Sequence, residues 1–339
     1  MSRARNIANG PYTQSTSNPA TNTNPSSGVG TVWINTSTGM AYVLIDATTN
    51  ANIWANIGTG TGAVLNNFSA NYLIVAGGGS GARSPNVPGG GGGAGGMLTG
   101  TTTLTSGTTY TFVVGAGGAA YFTTNGGGNE GSDTTGFSLT AVGGGTGSYY
   151  DGSTAYFSAT DGGSGGGGGW SYQTGGSGTS GQGNDGGSQS GAAGEPYSAA
   201  GGGGAGGAGG NTTTTVAGGG YGGVGLEWID SEFYAGGGAG GSGGSTSNSG
   251  GNGGGGDGGN SSSLSGSNGE TNTGGGGGAT HETGYSTFPN YPSGAGGSGV
   301  VILRIPTYTY SALTTGGPLI TSLAEYTWIK FTSSGTYTA

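Results

Sequence analysis

The chain contains no cysteine, so neither disulfides nor thiolate metal sites can hold it together, and it can mature in a reducing compartment. Charge is almost as scarce, with 5 Lys and Arg against 14 Asp and Glu and a net charge of -9. The cations Arg3, Arg5, Arg83, Arg304 and Lys330 are scattered, which argues against a nucleic-acid groove. No run approaches 18 apolar residues, and Met1-Ser-Arg-Ala-Arg-Asn6 leads into polar sequence without an apolar h-region. Neither membrane insertion nor a secretory signal is therefore expected. Only 10 prolines and no Gly-X-Y period exclude collagen. No amphipathic helix is visible, so the chain should be almost free of α-helix.

What the chain has instead is glycine, 93 of its 339 residues, in runs such as 89–93, 165–169 and 201–204. Unperiodic glycine enrichment ordinarily marks a disordered tract, but soluble disordered chains rely on charge, and only 6% of these residues carry any. A residue without Cβ cannot build an oily core, yet it lets two backbones approach until their peptide groups bond directly. The reading is therefore a lattice of polyglycine II helices, with three residues per turn and no internal hydrogen bonds, whose N–H and C=O groups pair sideways. Ordering glycine costs roughly 1–2 kcal/mol per residue and a lateral bond returns on the order of 0.5–1.5 kcal/mol, so an apolar β layer is expected beside it.

The expected fold class is all-β and irregular. Residues 1–65 read as a small β-meander for attachment or oligomerisation, with strands near 31–34, 40–45 and 52–57 and a core of Trp33, Tyr42 and Trp54. Residues 66–142 read as strands 72–76, 109–114 and 136–142, each entering a glycine run. Residues 143–299 hold the bulk of the lattice with its aromatic-rich loops, and residues 300–339 return as strands that close the sheet.

The junctions Tyr72-Leu-Ile-Val-Ala-Gly-Gly-Gly79, Tyr110-Thr-Phe-Val-Val-Gly-Ala-Gly-Gly118, Phe137-Ser-Leu-Thr-Ala-Val-Gly-Gly-Gly145 and Gly297-Ser-Gly-Val-Val-Ile-Leu-Arg304 carry a family resemblance. Over residues 70–339 the chain resembles the glycine-rich tail-fibre and tip-adhesin proteins of tailed bacteriophages. The segments 19–39 and 52–54 are similar to a module found on phage fibre proteins. The resemblance implies a polyglycine sandwich holding variable loops that bind the host surface. Host glycan or outer-membrane protein and other tail proteins are the implied partners, and the implied location is the virion after synthesis in the host cytoplasm. A homotrimer is one open arrangement, since fibre proteins commonly trimerise and no symmetry device is visible.

The loops between glycine runs are rich in Tyr, Trp, Ser, Asn and acids, the chemistry of a paratope. The candidate receptor-binding residues are Tyr149, Tyr150, Asp151, Tyr156, Trp170, Tyr172, Tyr197, Glu227, Trp228, Tyr234, His281, Tyr285 and Tyr291. The bland alternative has such rings capping the lattice, and for Trp228 and Phe233, beside Leu226 and Ile229, that is the stronger reading. Glu227, Asp230 and Glu232 invite comparison with paired glycosidase carboxylates, but solvated loop acids are the commoner case. His281-Glu282 has Tyr285 where a zincin needs its second histidine. The GxSxG at 162–166 lacks the strand-to-helix context of a nucleophile elbow. Near-matches to calcium β-rolls at 252–257 and 180–185 lack a nine-residue period. No enzyme activity, metal or cofactor is expected. Two other classes stay open: a structural fibre subunit that self-assembles, and an ice-binding protein, although regular Gly-X-X repeats are missing.

Overall fold

The structure is a computed structural model and describes residues 12–57, 67–84, 86–121, 128–151, 156–171, 173–191, 197–213, 218–245, 248–281 and 291–339. Among these the regular elements are β-strands apart from one 3-10 turn at Thr307–Thr309, and no sheet closes into a barrel. The chain divides into two compact units. One gathers Met1–Ser69 with Thr103–Thr109 and Thr338–Ala339, and the other holds Ala70–Thr102 and Tyr110–Tyr337.

In the first unit, β1 (Tyr12–Ser15), β2 (Val32–Asn35), β3 (Ala41–Asp46) and β4 (Ile53–Asn56) form a sheet in that order. The meander β2–β3–β4 is antiparallel, as alternating short apolar runs between turns predict, while β1 joins it in parallel, a pairing with no local signal. Tyr42, Leu44 and Trp54 form its buried core, with Trp33 meeting Trp54 edge-on at 6.0 Å.

The remaining strands are β5 (Asn67–Val75), β6 (Met97–Thr105), β7 (Thr109–Phe112), β8 (Thr134–Gly136), β9 (Leu139–Ala141), β10 (Tyr149–Tyr150), β11 (Tyr156–Phe157), β12 (Leu226–Glu227), β13 (Phe233–Tyr234), β14 (Val300–Pro306), β15 (Leu313–Thr314), β16 (Leu319–Ser322), β17 (Tyr326–Phe331) and β18 (Gly335–Thr338). A five-stranded sheet runs β16-β17-β14-β5-β6, and a three-stranded one runs β15-β18-β7. The apolar runs of β5 and β14 pair antiparallel, Val75 opposite Val300 and Leu73 opposite Ile302, and both are buried on both faces. Leu73, Val75, Val300 and Ile302 face Trp228, Tyr234 and Met97.

Residues 136–142, expected as one strand, are corrected to part of a hairpin. The chain reverses between β8 and β9 at Phe137 and Ser138, both at positive φ (54° and 61°), the pattern of a type I′ turn. A bulky residue tolerates that conformation here because the Phe137 ring is held among Tyr72, Tyr110 and Phe112, at centroid distances of 5.6, 5.6 and 5.2 Å. Long-range ring packing therefore decided what local β propensity did not.

Between the strands run extended glycine segments, largely buried, and residues 89–96 show how they are held. The amides of residues 90, 93 and 96 donate to the carbonyls of Ser148, Gly145 and Val142. Those of 91 and 94 donate to Ala200 and Gly203, and those of 89, 92 and 95 to Thr280, Gly277 and Gly274. In the other direction, the carbonyls of 90, 93 and 96 accept from Ala82, Gly79 and Ala76. Those of 91 and 94 accept from Gly167 and Ser164, and those of 89 and 92 from Gly241 and Gly238. Every partner steps by three residues, and the segment is ringed by three neighbours that it bonds and three that bond it. A Cβ built on Gly202 would overlap the carbonyl oxygen of Gly92, so hydrogen alone fits such positions.

These pairings also fix two ends within the second unit. Ala82, Gly89, Ser148, Gly167, Ala199, Gly241 and Thr280 lie at one level, linked by Thr280 to Ala82, Gly89 to Thr280, Ser148 to Gly167 and Ala199 to Gly241. Ala76, Gly96, Val142, Ala205, Ala235, Thr273 and Ser298 lie at the other, linked by Ala76 to Gly96, Gly96 to Val142, Ala205 to Ala235 and Ala235 to Thr273. The second level adjoins the five-stranded sheet, because Ala76 follows β5 and Gly96 precedes β6.

Candidate functional site

At the level away from the sheet, small hydroxyl side chains replace glycine and tie down the loops. The Ser84 hydroxyl accepts from the Tyr150 amide at 3.1 Å, and the Ser148 hydroxyl accepts from the Gly169 amide. The first bond anchors the β10–β11 hairpin and the second anchors the turn that carries Trp170 and Ser171, the latter at φ 65°. Hairpin register places Tyr149 opposite Phe157 and Tyr150 opposite Tyr156. Tyr149 and Phe157 stack with centroids 4.4 Å apart and rings 2° from parallel, and Tyr150 meets Tyr156 at 4.8 Å.

Trp170 joins the second of these pairs, lying 6.0 Å from Tyr150 and 6.4 Å from Tyr156, and it meets Tyr197 edge-on at 5.5 Å. Tyr150, Tyr156, Trp170 and Tyr197, four rings from three separate segments, thus form one cluster, and Tyr149 with Phe157 forms a separate stacked pair, since successive cross-strand pairs project to opposite faces. Tyr156 and Phe157 are 44% and 43% exposed, and Tyr149, Tyr150, Trp170 and Tyr197 are half-buried. The Trp170 Nε1 atom is buried and has no hydrogen-bond partner among the described residues. Burial raises the Tyr149 hydroxyl above its ordinary pKa, helped by nearby Tyr121 and by the charge of Asp151, so it remains protonated and able to donate at neutral pH. Flat π faces beside hydroxyl donors suit the C–H faces of sugars or the side chains of a protein loop.

Of the expected residues, the structure brings Tyr150, Tyr156, Trp170 and Tyr197 into one cluster and sets Tyr149 against Phe157, near Asp151, as a separate pair. Tyr291 is half-buried and two residues from Ser293, whose hydroxyl accepts from the Tyr121 amide, which places it beside the same region. Tyr172 and Tyr285 lie outside the described residues. Phe157 was missed as a site residue, although the mirror pattern of Tyr149-Tyr150 and Tyr156-Phe157 about intervening turn residues is a hairpin signal.

Three of the expected contact residues, Trp228, Tyr234 and His281, lie in the interior. Trp228 and Tyr234 are buried against the five-stranded sheet, Trp228 edge-on to Trp328 at 5.6 Å and Tyr234 donating its hydroxyl to Asp230 at 2.8 Å. Their hairpin β12–β13 belongs to the opposite level from the aromatic cluster, as does the exposed Glu227. His281 is at the aromatic level but fully enclosed. Its Nδ1 has no hydrogen-bond partner among the described residues, and burial pulls the pKa of its imidazole down to about 4.

Among the described residues, no group of three or more His, Asp or Glu side chains is placed to hold a metal ion, and no helix is long and apolar enough to cross a membrane.

A family model described as a glycine-rich domain matches residues 55–306. No curated protein and no solved structure matches the chain.

Proposed function

The chain belongs to the glycine-rich domain family, and we propose that it is a non-enzymatic receptor-binding protein of a tailed-bacteriophage fibre. In this reading the glycine segments are polyglycine II helices, the form with three residues per turn and no internal bonds. Support comes from the three-residue stepping of amide partners around residues 89–96. The aromatic cluster is the surface that meets the host, through a surface glycan or an outer-membrane protein. Its location is the virion, and other tail proteins are its fixed partners. The phage assignment itself rests on the sequence resemblance.

One observation carries the binding role: four rings, Tyr150, Tyr156, Trp170 and Tyr197, delivered by three distant segments to one cluster of the glycine framework, with Tyr156 left open to solvent. Rings that served only the interior would be enclosed, as Trp228 is. The test is binding of the fluorescently labelled full chain to a panel of bacterial strains. The expected outcome is binding to at least one strain that falls at least tenfold in Tyr156→Ala and Trp170→Ala at unchanged melting temperature. Absence of binding throughout the panel, or binding indifferent to both changes, overturns the reading.

A self-assembling structural subunit is a second reading, favoured by strand β16. That strand edges the five-stranded sheet, all four of its residues are exposed, and Leu319 and Leu323 are 63% and 59% exposed. Sedimentation of the purified chain separates the two, since the structural reading requires large assemblies at micromolar concentration.

A further inference from the structure

We propose that the level of the glycine framework nearest the sheet carries a second binding site, a cleft that takes a neutral saccharide unit. The cleft has a volume of about 520 Å³ and lies between the β12–β13 hairpin, the two reverse turns near Asn252 and Asn272, and Lys330 of β17. That is room for about one or two sugar rings, within the usual range of small-molecule sites.

Its walls are set before any ligand arrives. Gly253 and Gly254 turn at φ 101° and 90°, and Asn272 at 63°. Backbone bonds pin the turns: Gly225 to the Asn252 carbonyl at 2.7 Å, Glu270 to the Gly254 carbonyl at 2.8 Å and Ala235 to the Thr273 carbonyl at 2.8 Å. The Asn272 backbone amide donates to the Ser298 hydroxyl at 3.0 Å, and that hydroxyl donates to the Asn272 side-chain oxygen at 3.2 Å, which fixes the side chain while its NH2 group makes no bond among the described residues. Preformed walls spare a ligand the cost of ordering them.

The lining selects the ligand class by elimination. An apolar molecule would leave Glu232, Glu270, Asn252, Asn272 and Lys330 without partners in place of water. An anion would face Glu232 and Glu270 on a chain of net charge -9. A cation would meet the Lys330 ammonium, which stands 5.7 Å from the centre of the Tyr234 ring at the same cleft. A polyhydroxyl ring satisfies all of them, because each hydroxyl both donates and accepts. The carboxylates accept hydrogen bonds from its hydroxyls, the Lys330 ammonium and the Asn272 side-chain NH2 group donate hydrogen bonds to its oxygens, and the Phe233 ring, 37% exposed, offers an apolar face for its C–H groups.

This site is separate from the aromatic cluster and stands or falls without it. The test is saturation-transfer NMR of the full chain with glucose, galactose, mannose and their N-acetylamino forms, and with spermidine and citrate as charged probes. At least one sugar should bind in the millimolar range. Its affinity should fall at least tenfold in the Glu232→Gln/Glu270→Gln double variant and in Lys330→Met, and remain within twofold in Trp170→Ala. Because both glutamates are exposed, neutralising them should leave the melting temperature unchanged, and Asn252→Ala serves as an additional variant should Lys330→Met fail to fold. The proposal is overturned if none of the sugars binds or only spermidine or citrate does. It is equally overturned if sugar binding survives the cleft variants or is lost in Trp170→Ala alone.

Discussion

At the scale of single residues, His281 stands out as an enclosed ionisable ring whose Nδ1 has no partner among the described residues. Burial lowers its pKa from the ordinary 6.5 to about 4, so the folded state holds it neutral while the unfolded chain binds a proton below about pH 6.5. Stability is therefore fully present above that pH and is lost as pH falls from 6.5 toward 4, where the folded state begins to take up the same proton. At about 1.36 kcal/mol per pKa unit, the loss is on the order of 2–3 kcal/mol. Urea titrations at pH 7.5 and 4.5 should show it in the parent chain, and a His281→Gln variant should show a correspondingly smaller difference. Equal pH slopes in the two proteins would remove His281 as the cause.

At the scale of elements, the glycine segment behaves as a unit whose interior admits hydrogen only. Gly202→Val drives a branched side chain into the Gly92 carbonyl, and neither backbone can yield without breaking its lateral bonds. The cost should exceed about 3 kcal/mol, enough to abolish soluble expression or lower the melting temperature sharply. Gly181→Ala is the contrast, since a Cβ there meets nothing within 4 Å and only the φ of 78° is strained, costing roughly 1–2 kcal/mol. Equal tolerance at both positions would contradict the crowded interior. Much at this scale was legible in the sequence. Runs of β-branched and aromatic residues marked β2, β3, β4, β5 and β14, and Tyr42 and Trp54 were recognisable as core from their place in alternating strands. The sequence did not disclose β6, whose Met-Leu-Thr-Gly-Thr-Thr-Thr-Leu-Thr has little apolar patterning, nor the reversal at Phe137, which depends on rings distant in sequence.

At the scale of the whole molecule, amide protection should follow the same network. In hydrogen exchange, the amides of residues 90–96 should be among the slowest, because they bond in rotation to three surrounding segments and freeing the thread requires parting all three. Fast exchange there, with protection confined to β5 and β14, would mean that the sheet alone holds the unit together. The level at which each aromatic loop emerges was not legible, and the reason is physical. A glycine amide bonds any carbonyl equally well, so no side-chain code records which run lies beside which. The sequence therefore placed the 226–234 hairpin and the Tyr149 loop in one category, although their rings end at opposite levels of the framework.

An interior joined through groups that every residue possesses does not read the identity of the peptide spliced between two of its threads. Loops at the aromatic level are thereby open to exchange, lengthening or drift while the register beneath them is kept. In such a molecule, heritable variation in what is recognised is uncoupled from the inheritance of the fold.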